Sequence, residues 1–252
     1  MVNVNNFFNN PNIMTIAEVN NYKVLEYTKD YTMNPQFAPT LYFCDQMGVK
    51  RRQVAIEMRN TEVITQAGAM QWVLGNVEST TGIKGAGDMI GKMFKGAVTG
   101  ESSIKPVYKG EGLLVLEPTY KYILLEDVSK WNGGIVLNDG LFLACDNTIK
   151  QTLARRNNLS SAVAGGEGLF NLQLQGNGVA ALESNSPREE LVEINLENDV
   201  VKIDGSYAIA WSGSLQFTVE RSSKSLIGSA VNGEGLVNVY RGTGKILMAP
   251  VG

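Results

Sequence analysis

Histidine is absent from all 252 residues. That removes Ser-His-Asp and Cys-His nucleophile pairs, imidazole acid–base chemistry and imidazole metal ligands. Cysteine is nearly absent too: Cys44 and Cys145 stand alone in apolar stretches, LYFCD and LFLACD. Neither has a second cysteine at metal-ligand spacing, so a zinc site is not expected. Both are read as buried, reduced side chains, with a single bridge between them left open. The chain is therefore expected not to be an enzyme, and no cofactor is expected.

Charge of one sign is also lacking. Lys and Arg total 22 against 25 Asp and Glu, for a formal net charge of -3. A nucleic-acid partner needs a cationic face, and the composition offers none. The only dense basic doublets, Arg51-Arg52 and Arg155-Arg156, are read as solvated edges or loops. No run approaches the roughly 18 apolar residues that cross a bilayer. The Asn-rich start, MVNVNNFFNNPNIM, has no positive charge before Lys23 and no apolar stretch of leader length, so no secretory leader is expected. With reduced thiols, the expected compartment is the cytoplasm.

What is present is alternation. Val54, Ile56 and Met58 in QVAIEMR share one face of a predicted strand. Met70, Trp72 and Leu74 do so ahead of a predicted Gly75-Asn76 turn, and Val192, Ile194 and Leu196 do so in LVEINLEN. Asp139-Gly140 and Asp204-Gly205 each separate two apolar runs and predict two-residue hairpins, because glycine accepts the positive φ such turns need. An all-β fold follows, with one apolar face per sheet on a core.

The chain also repeats itself. Gly-Glu-Gly-Leu occurs at 110–113, 166–169 and 233–236, each copy followed by an apolar run and a second bend at Pro118, Gly176-Gly178 or Gly242-Gly244. Asp139 lies 28 residues from both Glu111 and Glu167. A duplicated β unit is the reading. Glu111, Glu167 and Glu234 could form a carboxylate ligand set if the fold converged them; two glycines around a polar residue otherwise mark a turn or bulge.

Residues 82–100 depart from the pattern. Ile90, Met93, Phe94 and Val98 fall at helical spacing, with Lys84, Asp88, Lys92 and Lys95 between them. This predicts an amphipathic helix near 83–99, weakened by six glycines. Its apolar stripe is assigned to an oligomer or membrane contact: the protein's own sheet or a neighbouring subunit first, a membrane surface or partner protein as alternatives.

The ordered motifs GAMQWVLGNVE (68–78), GES (100–102), PVYKGEGLLVL (106–116), VLNDGLFLA (136–144) and GEGLVNVYRGTGKILMAP (233–250) resemble the altered-inheritance-of-mitochondria protein twenty-four family. That family is similar in fold to the tryptophan RNA-binding attenuation protein. The resemblance implies all-β, duplicated and intertwined β-sandwich or double-stranded β-helix units, with three chains closing into a ring. Laid on the chain, it implies an N-terminal extension (1–50), a first unit with the insert (51–130) and a second unit (131–252). It brings no catalytic residues. The expected function is that of a homo-oligomeric, non-enzymatic scaffold or interaction protein, peripheral at a membrane through its insert. The alternatives are a nucleic-acid-binding regulator, by fold analogy alone, and a small-ligand binder.

Overall fold

The computed structural model describes residues 4–32, 34–80, 105–155, 170–221 and 236–251, with backbone alone for Arg155, Phe170 and Arg221. The fold is nearly all β. β1 (Ile13–Val19) and β2 (Tyr22–Tyr27) form a hairpin, followed by a short helix, α1 (Ala38–Gln46). Then come β3 (Arg52–Thr65), β4 (Met70–Thr80), β5 (Val107–Leu116), β6 (Tyr122–Asp127), β7 (Ile135–Leu137), β8 (Phe142–Asp146), β9 (Lys150–Arg155), β10 (Phe170–Gln175) and β11 (Val179–Ser184). β12 (Val192–Asp204), β13 (Ala208–Ser212), β14 (Gln216–Arg221) and β15 (Leu236–Met248) complete the chain. One sheet runs β1-β2-β3-β8-β11-β6, with β5 beside β3 and β4 beside β5; the other runs β12-β15-β13-β7-β10-β9, with β14 beside β15.

The repetition expected from the sequence is present, and it extends to a third copy. Gly-x-Gly recurs at 110–112, 176–178 and 242–244, a constant interval of 66 residues. Around each lies the same unit: a strand whose two halves diverge, a partner that is bent or broken at Gly-x-Gly, and a third strand on the partner's far side. The first unit is β3–β5–β4. The second is the same figure with its long strands cut in two: β6 and β7 pair β11 and β10, which pair β8 and β9. The third is β12–β15, with β13 and β14 along the other side of β15.

Matching bulges fix the correspondence. Met58 faces Gly112 and Thr61 faces Gly110 around Asn60; Leu196 faces Gly244 and Asp199 faces Gly242 before and after Asn198. Asn60 and Asn198 have φ of 55° and 53°, a left-handed conformation that asparagine tolerates. At Gly110 and Gly112 any side chain is excluded. A Cβ would lie 1.9 Å from the carbonyl oxygens of Asn76 and Leu74 respectively, and φ is 136° and 154°.

Several sequence-based turns are corrected. Gly75-Asn76 is not a turn, because β4 runs through it opposite Gly112 and Glu111. Asp139-Gly140 and Asp204-Gly205 are turns but not hairpins: β7 and β8 enter different sheets, and β12 and β13 flank β15 instead of pairing together. Nor do Pro118, Gly176-Gly178 and Gly242-Gly244 close hairpins; β5 and β6 do not pair, β10 and β11 separate into two sheets, and β15 continues through its glycines. The predicted helix near 83–99 lies outside the described residues.

Each unit encloses its own core, and the first two cores borrow from the unit that follows. In the first, Val54, Ile56, Met58, Val63 and Leu114 pack with Ala144, Val179 and Ala181 of the second unit. In the second, Leu137, Leu174, Ala180 and Leu182 pack with Ala210 and Leu247 of the third. Burying such aliphatic side chains contributes about 1.5–3 kcal/mol each, which makes these shared contacts the main link between units. The third core, with Trp211, Tyr240, Ile246 and Ile203, has no following unit among the described residues.

Candidate assembly edges

The junction between units is a strand pairing. The second half of β3 pairs β8, with Val63 opposite Asp146, Ile64 opposite Cys145 and Thr65 opposite Ala144. The N–H of Gln66 donates to the Leu143 carbonyl at 2.7 Å, and the N–H of Asn147 donates to the Glu62 carbonyl at 2.9 Å. Residues 62, 64 and 66 therefore turn their backbone toward β8. The N–H of Thr65 points the other way, to the Pro106 carbonyl at 3.0 Å. The second junction repeats this arrangement: Ile135, Val136 and Leu137 of β7 face Ser212, Trp211 and Ala210 of β13.

A third set of such edges has no partner among the described residues. By the Asn60–Asn198 correspondence, Val201, Lys202 and Ile203 take the places of Val63, Ile64 and Thr65. Among the described residues β12 pairs only β15, so the backbone of Val200, Lys202 and Asp204 faces outward along an edge that no described strand covers. At the opposite end, the register of β4 on β5 puts Trp72, Val73 and Leu74 in the places of Ala144, Cys145 and Asp146. Among the described residues β4 pairs only β5, and Val73 is 38% exposed. One end of the array thus offers the strand that the other end lacks.

The side chains agree with the backbone. Ile56, Val63 and Leu116 are fully buried in the first unit. Their counterparts Ile194, Val201 and Met248 are only partly buried, and Val192 is 42% exposed. Ile194, Val201 and Met248 line an open recess of about 410 Å³ with Ile203, Tyr207 and Pro250. In the first unit that space is filled by the second.

Other expected site residues are placed differently. Glu111 lies on β5, exposed, opposite Arg59 and Asn76. It occupies the middle of the Gly-x-Gly bend, where the second and third units have Asn177 and Thr243. Glu167 and Glu234 lie outside the described residues, as do Ile90, Met93, Phe94 and Val98. Among the described residues no three potential metal-ligating side chains cluster. No helix among them is long and apolar enough to cross a membrane.

Arg51 and Arg52 are not a free basic doublet. Arg51 pairs with Asp30 at 2.7 Å and lies over the rings of Tyr27 and Tyr120. Arg52, 4% exposed, pairs with Glu26 at 2.7 Å and covers the Tyr122 ring. Cys145 is buried and free, and burial pushes its thiol up to about 12. Cys44 is also free but only partly buried, on α1, so no bridge joins the two. The aromatic surface of that helix, with Phe37, Tyr42 and Phe43 exposed, was not legible in the sequence because its nine residues show almost no amphipathic period.

Known proteins resemble this chain in sequence and in fold. The family described as mitochondrial biogenesis AIM24 matches residues 47–251. The chain belongs to the mitochondrial biogenesis AIM24 family. An uncharacterized protein of Streptococcus pyogenes serotype M6 is 31% identical over 193 residues, spanning 73% of this chain and 75% of its own length. A crystal structure of a Streptococcus pyogenes protein superposes with a TM-score of 0.58 at 28% identity, covering 81% of this chain and 89% of that one. The AIM24 match takes in all three units and both open edges. It leaves out β1, β2 and α1.

Proposed function

We propose that the protein is a non-enzymatic scaffold that assembles with copies of itself, head to tail. Lys202 of one chain pairs with Val73 of the next, in the register by which Ile64 pairs with Cys145 inside the chain. Trp72 of the second chain then enters the recess at Ile194, Val201 and Met248, and the third core gains the following unit it lacks. Because the contact joins different surfaces, the assembly either closes as a ring or continues as a filament. The family resemblance favours closure by three chains, aligning nine units around one axis.

One observation carries this reading: each junction inside the chain uses a strand edge that β12 and β4 leave open at the two ends. Long unpaired edges with apolar flanks are otherwise covered or charged in folded proteins. A strand-addition interface of this kind draws affinity from main-chain hydrogen bonds and specificity from the side chains that fill the neighbouring core. The two free thiols support a reducing compartment such as the cytoplasm. Contact with a membrane, through residues 82–100, is part of the same proposal; liposome co-sedimentation with and without Phe94→Asp tests it.

The assembly is tested by solution mass. Wild type is expected at a multiple of the 27.4 kDa chain. Lys202→Pro removes one outward N–H without touching the β15 ladder and is expected at the single-chain mass. A wild-type mass of one chain would refute the proposal.

A further inference from the structure

The face that a neighbour's tail must cover is already covered, by the chain's own beginning. In the two internal junctions the borrowed side chains are Ala144, Val179 and Ala181, then Ala210 and Leu247. Their counterparts at the head of the first unit are Trp72, Leu113 and Val115, beside Ala55, which takes the place of Leu125. These four form a separate apolar cluster with Leu25 and Leu74, and what closes it is Phe7, with Val4 and Ile13. Phe7 is 8% exposed, with its ring 5.2 Å from that of Trp72 in an edge-to-face contact.

Resting on the head-to-tail reading, we infer that residues 4–10 are a displaceable cover that occupies the head face in the single chain and yields it to the tail of a second copy. The way the segment is held fits this role. Its hydrogen bonds are local: Asn10 N–H to the Phe7 carbonyl at 3.3 Å, and the Asn10 side-chain amide to the Asn6 carbonyl at 3.2 Å. Among the described residues, no hydrogen bond ties residues 4–10 to β3, β4 or β5, so apolar packing holds them on the sheet, helped by Lys23 of β2 over the Phe8 ring at 5.4 Å. The next segment differs. Asn12 accepts the N–H of Thr28 at 2.9 Å, and β1 and β2 are laddered onto β3, which anchors the cover at one end. Phe7 thus takes the place of a neighbour's core side chains without strand pairing.

A cover of this kind lowers apparent affinity by the fraction of chains with the face free. Phe7→Ala in the full chain, measured by sedimentation across a dilution series, is expected to tighten self-association by about tenfold. Val4→Ser, a milder change at the cover's start, is expected to act in the same direction by a smaller factor. Equal or weaker association in both variants, with Lys202→Pro still a single chain, overturns the cover and leaves the head-to-tail assembly standing. Assembly of Lys202→Pro as tight as wild type overturns both.

Discussion

The first and third units are built alike, yet they are buried to different depths. Val54, Ile56 and Val63 are at most 1% exposed, whereas Val192 is 42% exposed and Ile194 and Val201 are partly open. The local sequences are equivalent: VAIEMRN and VEINLEN have the same alternation and the same left-handed asparagine. What differs is that a unit follows the first and none follows the third. Burial at these positions follows the neighbour rather than the unit, and the neighbour we propose for the third unit is a second copy of the chain.

The sharpest break in that comparison is at the glycine bends. Gly110→Ala forces a Cβ to 1.9 Å from the Asn76 carbonyl, whereas Cβ at Gly242 meets nothing nearer than 3.8 Å. Gly110→Ala is expected to cost about 3 kcal/mol or more in denaturant unfolding, and Gly242→Ala about 1, from its positive φ alone. Next come the core pairs. Ile56→Ala is expected to cost about 2–5 kcal/mol in any state, and Ile194→Ala clearly less in the Lys202→Pro chain. In the assembled wild-type background the two costs should converge, read as thermal midpoints; a difference that persists would mean the recess stays open.

A smaller contrast lies in charge. Glu57 accepts from Lys23 and from Arg59, both at 2.6 Å, where the third unit has the uncharged Asn195. The hydrogen bond from Lys23, then that from Arg59, holds the Glu57 carboxyl below its ordinary value, and the hydrogen bond to Glu57 raises Lys23. A depressed carboxylate adds stability that is present above its unfolded pKa and is lost as pH falls through the folded value. Glu57→Gln is expected to remove about 0.2–1 kcal/mol at neutral pH and to flatten the acid limb of the stability profile. The smallest effect concerns the thiols. Cys44 is expected to react with an alkylating reagent in the native state and Cys145 only on unfolding, as peptide mapping would show.

Much of this fold was legible in the residues. The alternation of Val54, Ile56 and Met58 gave the buried face of β3, and the glycine punctuation gave an all-β chain with internal repetition. The pairing was not legible. Asp139-Gly140 has hairpin chemistry, but turn chemistry fixes only the local reversal; the partner of β8 is β11, decided by packing nearly forty residues away. Gly-Glu-Gly-Leu is the longer match, but the Gly-Glu-Gly residues of its second and third copies lie outside the described residues, and the described bends recur at Gly110, Gly176 and Gly242. The bend itself needs two glycines at a close strand crossing and accepts Glu111, Asn177 or Thr243 between them, so little identity survives around it. The open edges left only a faint trace, since an unpaired strand has the same alternation as a paired one.

In the proposed assembly Lys202 lies against Val73 of another chain. In a Val73→Cys, Lys202→Cys chain with Cys44→Ser, oxidation is expected to join chains covalently, because directly opposed residues on antiparallel strands have Cα atoms within disulfide reach, about 4.4–6.8 Å. The product should run at multiples of one chain and return to a single chain on reduction. Free thiols at both positions after oxidation, with a mass of one chain throughout, would contradict it.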